Sequence, residues 1–158
     1  MTRIDCRLIS GDVQKSDQVR LAYESIVKNG YVVLDHVIPA EKAAALREEF
    51  NARYHGYLNL ESEQPDTLKV GNKRYMMTVD LEGGFADSDI WGNPFVVAVV
   101  RQALGVDAIL ESFGAVISQP GAKQQHIHRD GAVLFDAGIA PILPTHALTF
   151  ALPDRKIT

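Results

Sequence analysis

One cysteine, Cys6, stands in a chain of 158 residues. A lone thiol cannot staple a chain to itself, so an internal disulfide framework is excluded. A single cysteine also fits a reducing compartment. Long apolar runs are missing too. The longest, Phe95 to Val100, falls far short of the roughly 20 residues that cross a bilayer. The opening residues, MTRIDCRLIS, hold no apolar stretch of signal-peptide length. Together these absences predict a soluble, cytoplasmic protein with no membrane partner. Basic clusters are absent as well. Lys and Arg number 16 against 20 Asp and Glu, for a formal net charge of -4. Without a basic stripe, nucleic acid is excluded as a partner class. No internal repeat, low-complexity segment or linker divides the chain.

The remaining composition reads as one globular domain over residues 1–158. It is 46% hydrophobic and 23% charged, which rules out a disordered chain and supplies a core. Ser16 is placed to cap a helix running to about Lys28. Val19, Ala22, Tyr23, Ile26 and Val27 give that helix an apolar stripe. Asn29-Gly30 ends it with residues that tolerate a left-handed backbone. Tyr31 to Leu34 is a short run of strand formers. Pro39 opens a second helix, from about Ala40 to Tyr54, rich in Ala, Leu, Glu and Arg.

Residues 55–72 read as loop and Lys73 to Leu81 as extended chain. Asn93-Pro94 reads as a cap and a first-turn proline. A buried helix then spans Phe95 to Leu104 and ends at Gly105. Beyond it the texture turns to strands: Ala108 to Ser118, Gln124 to Asp130 and His146 to Leu152. Pro120-Gly121 marks a turn, and residues 131–144 form a connection. Helices first and strands afterwards predict an α+β domain with an antiparallel sheet.

The stretch that carries chemistry is SQPGAKQQHIHRDG, Ser118 to Gly131. In a strand, residues two apart project from the same face. His128 and Asp130 then point together, and in a sheltered hollow an imidazole and a carboxylate converge. Two histidines and one carboxylate on one face of an octahedron suit non-haem Fe(II) and leave positions open. The tripeptide alone also fits a solvated strand on the surface. His126 shares the parity of His128 and reads as a rim or packing residue. His36 and His55 read as surface residues, and Trp91 and Phe95 as core. Glu48-Glu49 and Asp87-x-Asp89 read as solvated charges.

Around that tripeptide the chain resembles the phytanoyl-CoA dioxygenase family of Fe(II)- and 2-oxoglutarate-dependent oxygenases. Pro120-Gly121 is followed by Gln125-His126-Ile127-His128-Arg129-Asp130, similar to the family's turn and its Gln-x-x-His-x-Asp strand. Gly30-Tyr31-Val32-Val33-Leu34, then Val37-Ile38-Pro39 and Leu46-Arg47, is similar to the family's opening strand and helix. Lys73-Arg74-Tyr75 and Leu110-Glu111-Ser112-Phe113-Gly114-Ala115 add to the likeness. The resemblance implies N-terminal helices packed on a partial double-stranded β-helix, a cupin-like jelly roll. It implies that His128 and Asp130 are iron ligands and catalytic residues. Gln125 would lie beside the metal and cosubstrate, or else bond a neighbour as an ordinary strand glutamine. Lys73 or Arg74 would lie near 2-oxoglutarate, or else form a solvated strand edge. The implied activity is hydroxylation, or a related oxidation, of a small organic substrate. Dioxygen and 2-oxoglutarate would be consumed with it.

The resemblance is incomplete. The family's third ligand is a histidine late in the β-helix, followed by an arginine that grips the far carboxylate of 2-oxoglutarate. His146 stands earlier than that ligand does. Arg155 and Lys156 are the only later basic residues. The sequence therefore predicts a domain cut short before the C-terminal β-helix strands. Its open sheet edges would invite a second copy of the chain. Two rivals accompany the oxygenase reading. One is a non-catalytic β-helix remnant that binds a ligand or partner chain. The other is a cupin-like metal enzyme that does not use 2-oxoglutarate.

Overall fold

The computed structural model describes residues 2–8, 12–57, 66–126, 128, 148–149 and 151. Its helices follow from local signals. In α1 (Asp17–Asn29) the Ser16 side chain accepts from the Val19 N–H, and Gly30 closes the helix in the left-handed region at φ 80°. In α2 (Ala40–Arg53) the first residue follows Pro39, whose ring presets the entry. A single turn, α3 (Ser88–Trp91), is capped by Asp87. In α4 (Pro94–Leu104) the Asn93 side chain accepts from the Phe95 and Val96 N–H groups.

Two small sheets complete the described fold. Strand β1 (Arg3–Asp5) pairs in parallel with β2 (Val33–Asp35). Helix α1 supplies the crossover that a parallel pair needs. Strands β3 (Thr67–Gly71), β4 (Arg74–Thr78) and β5 (Gly114–Ser118) form an antiparallel sheet in that order. At Gly114 a β-carbon would lie 2.5 Å from the Met77 carbonyl oxygen, so only glycine lets β5 approach β4 there.

Each sheet has its own core. Ile4 packs with Val19 and Ala22 of α1 and with Phe95, Ala98 and Val99 of α4. In the second core, Leu46 and Tyr54 of α2 pack with Met77, Val79, Phe85 and Ile90. Phe50, Ala115 and Ile117 extend it. One face of the three-stranded sheet is thus covered by helix α2 and its neighbours. The architecture is mixed helix and sheet, and its three-stranded sheet is antiparallel. No helix among the described residues is long and apolar enough to cross a membrane.

Several expectations change. Residues 67–71, read as loop, form β3. The strand read over residues 108–118 is confined to Gly114–Ser118, and Ile109 and Leu110 before it are exposed. The strand read over Gln124 to Asp130 is not formed at residues 124–126 or 128. The strand read over His146 to Leu152 is not formed at the described residues 148, 149 and 151, and its other residues lie outside the described ones. Trp91, read as core, is exposed, whereas Phe95 is buried.

Polar side chains tie the layers together. Lys42 on α2 donates to Asp87 at 2.7 Å and to Asp89 at 3.0 Å, so these aspartates are ion-paired rather than merely solvated. Glu49 pairs with Arg53 and accepts from the Gly84 N–H at 2.9 Å, which pins the Gly83-Gly84 turn to α2. His36, read as unpartnered, faces Asp5 with Nδ1 3.1 Å from Oδ1.

The network at the ends of β1 and β2 sets a pH dependence. The Arg7 guanidinium donates to Asp5 and holds its carboxyl well below the ordinary value of 3.8. Arg3 lowers Asp35 in the same way, and Lys42 lowers Asp87. A depressed carboxyl stabilises the fold above its unfolded pKa, and that contribution disappears as pH falls through its folded pKa. Melting temperature is therefore expected to be flat at neutral pH and to fall below about pH 4. A scan of wild type against Asp35→Asn checks this, with the variant losing less between about pH 5 and pH 3.

Candidate functional site

The chemistry-bearing residues gather at one end of the three-stranded sheet. Strands β3 and β4 are joined by a tight turn in which Gly71 pairs with Arg74. Lys73 occupies that turn with φ 52°, in the left-handed region. This conformation costs a non-glycine residue roughly 1–2 kcal/mol. It places the ammonium against the segment after β5, where Lys73 Nζ donates to the Pro120 carbonyl at 3.4 Å. The Gln119 N–H returns a bond to the Lys73 carbonyl at 3.0 Å. The Pro120-Gly121 turn is thus held against the β3–β4 turn.

Arg74 begins β4 and pairs with Ser118, the last residue of β5. Its Nε donates to Ser118 Oγ at 2.9 Å. Its Nη1 is buried and is the one buried side-chain nitrogen or oxygen among the described residues that lacks a hydrogen-bond partner. A buried guanidinium nitrogen left unmatched is costly, and a carboxylate is the group that matches it best. A β-carbon on Gly71 would lie 3.8 Å from Arg74 Nη1 and 3.9 Å from Gln125 Cγ. The bare glycine therefore keeps a gap between these two side chains. Gln125 Nε2 donates to the Val70 carbonyl at 2.8 Å, so it bonds a neighbour, one of its two readings from sequence.

His126 and His128 follow. Their rings lie 5.3 Å apart between centroids and are tilted by 51°. His128 Nδ1 lies 2.8 Å from the His126 carbonyl oxygen. A carbonyl only accepts, so Nδ1 carries the hydrogen, and in the neutral ring the lone pair falls on Nε2. That is the tautomer in which a histidine ligates metal through Nε2. Both rings are exposed, so the described residues do not wall the sheltered hollow that the strand reading implied. Asp130, the expected second ligand, lies outside the described residues, as does His146. Among the described residues no group of three or more His, Cys, Asp or Glu side chains is placed to hold a metal.

The sequence-derived residues Lys73, Arg74 and Gln125 are brought together, and His128 follows three positions after Gln125. Ser118 and Gly71 are not singled out by sequence. Their roles depend on which residue faces which across β3, β4 and β5. No residue pattern along one strand announces that register. No protein-family model, curated protein or solved structure matches this chain. The chemistry of the site itself is what remains to indicate its use.

Elsewhere, Cys6 offers little reactivity. Burial pushes its thiol up to about 11, so it stays protonated at neutral pH.

Proposed function

We propose that this chain belongs to an Fe(II)- and 2-oxoglutarate-dependent oxygenase of the phytanoyl-CoA dioxygenase kind. In this reading the described sheet is the first part of a cupin-like double-stranded β-helix, with the helices on its outer face. The observation that carries the proposal is the unmatched, buried Arg74 Nη1 beside Gln125, ahead of His128 in the tautomer that ligates metal. A dicarboxylate suits the first feature and an iron ion the second.

The residues fit the cosubstrate at Arg74. A carboxylate of 2-oxoglutarate would accept from Nη1, while Ser118 holds the guanidinium in place through Nε. Lys73, already tied to the Pro120 carbonyl, adds positive potential more than a direct bond. The metal would rest on His128 and Asp130, with a third ligand that the resemblance places later in the β-helix. Bound iron would supply the activation of dioxygen that couples oxidation of a small organic substrate to conversion of 2-oxoglutarate to succinate and carbon dioxide. The chain's own part is to bind and orient. With His128 exposed, this chain alone is expected to hold iron weakly and to turn over little or not at all.

An anaerobic titration tests the reading. Fe(II) and 2-oxoglutarate together are expected to give the weak visible charge-transfer band of an iron-bound 2-oxo acid, and Asp130→Ala to abolish it. Metal binding indifferent to 2-oxoglutarate would favour the cupin-like alternative, for which the neighbouring rings of His126 and His128 speak. Absence of any metal binding would leave the β-helix remnant.

A further inference from the structure

Gly71 pairs with Arg74 at the end of the β3–β4 ladder, just after a shift of register between Lys69 and Gly71. Its backbone does not demand glycine: the described glycines in the left-handed region are Gly30, Gly83, Gly105 and Gly121. What distinguishes the position is the missing side chain. A β-carbon there would meet Arg74 Cβ at 3.6 Å, Arg74 Nη1 at 3.8 Å and Gln125 Cγ at 3.9 Å. Carbon atoms touch at about 3.5–4.0 Å. The space beside Nη1 therefore takes one carbon-sized group and nothing thicker.

Both walls of this slot are tied in place. Arg74 Nε donates to Ser118 Oγ at 2.9 Å, and Gln125 Nε2 donates to the Val70 carbonyl at 2.8 Å. At the slot lies Arg74 Nη1, buried and without a hydrogen-bond partner among the described residues. A carboxylate is planar and enters edge-on, one atom thick, to accept from such a donor. Phosphate and sulfate are tetrahedral and carry oxygens on both sides of any plane through the centre. In a space one carbon wide those oxygens would press on the Gly71 backbone on one side and on Gln125 on the other.

We infer that Gly71 is the specificity-determining residue of the Arg74 site. By lacking a side chain it admits a planar carboxylate to Nη1, and the narrow gap it leaves excludes tetrahedral oxyanions. The inference rests on the proposed function, since it takes Arg74 as the contact to 2-oxoglutarate. It adds the residue that discriminates and the class of anion refused. Charge does not make this choice. Phosphate at neutral pH carries about -1.5 to -2, close to a dicarboxylate, so the general potential of Lys73 and Lys123 attracts both alike.

Calorimetric titration without metal, at one ionic strength, tests this with glutarate, 2-oxoglutarate and inorganic phosphate. Wild type is expected to bind either dicarboxylate at least about tenfold more tightly than phosphate. Gly71→Ala fills the slot with a methyl group and is expected to weaken both dicarboxylates about tenfold or more. Its far-UV circular dichroism is expected to stay unchanged, because that methyl meets only ordinary contacts. Gln125→Ala removes the opposite wall and is expected to bring phosphate within about threefold of glutarate. Wild type that binds phosphate as tightly as glutarate overturns the inference, and so does a Gln125→Ala variant as selective as wild type. Gly71→Ala that binds 2-oxoglutarate like wild type, while Arg74→Gln does not, overturns it and leaves the oxygenase reading standing. No binding of any of the three anions also overturns it, and leaves that reading to the titration with Fe(II). Gly71-dependent binding of glutarate, with no strengthening of 2-oxoglutarate by Fe(II), upholds the slot and removes the oxygenase reading alone.

Discussion

Phe95→Ala is expected to lower the unfolding free energy by about 3–5 kcal/mol, the range for deleting a buried aromatic side chain. Phe95 is 4% exposed and lies among Ile4, Val19, Ala22, Ala98 and Val99. Its ring fills the space that Ala22 and Ala98 leave between α1 and α4. Alanines have no side chain with which to close the resulting hole, so relaxation is limited and the cavity term persists. Small domains are stable by only about 5–15 kcal/mol, so the loss is a large share of the total. Urea unfolding reads it as a lower midpoint with an unchanged slope. Trp91→Ala, at an exposed aromatic, is expected to change stability by less than about 1 kcal/mol. Equal effects at the two positions would contradict the packing described.

The second large effect concerns the site. Arg74→Gln is expected to weaken 2-oxoglutarate binding about 10- to 100-fold. That is the worth of a charge-assisted hydrogen bond, roughly 1.5–3 kcal/mol, expressed as a ratio of Kd values. Glutamine keeps some length and polarity but removes the charge. Lys73→Gln is the internal comparison. Its ammonium already bonds the Pro120 carbonyl and is exposed, so a change of less than about threefold is expected. Calorimetric titration of both variants distinguishes a specific arginine contact from general positive potential. Similar losses in the two would assign the binding to potential alone.

The legibility of the chain follows the range of the signal. Helices α1, α2 and α4 are readable because Ser16, Pro39, Asn93, Gly30 and Gly105 mark their ends within a few residues. Strand β1 is not, since Arg3–Asp5 is three residues long and is fixed by pairing with Val33–Asp35 across α1. Strand β3 is hidden for the same reason: Thr67–Gly71 exists as the partner of β4. The apolar run at Ile109 and Leu110 misleads in the opposite direction, because no partner strand reaches it among the described residues.

At the site, Lys73, Arg74, Gln125 and His128 stand out in the sequence through family resemblance and residue order. What sequence does not supply is the cross-strand geometry that bonds Arg74 to Ser118 and leaves Gly71 as a gap. The parity argument for His128 and Asp130 assumes a strand. At the described residues 124–126 and 128 that strand is not formed, so the pairing of imidazole and carboxylate rests on the sequence motif.

Whether Fe(II) and 2-oxoglutarate share one pocket is decided by their thermodynamic linkage, titrated without oxygen. If both bind one site, each must raise the affinity of the other by the same factor. Wild type is expected to bind 2-oxoglutarate at least tenfold more tightly with Fe(II) present, and His128→Ala to lose that gain while keeping the metal-free affinity. An affinity for 2-oxoglutarate that is the same with and without Fe(II) in the wild type would contradict the oxygenase assignment.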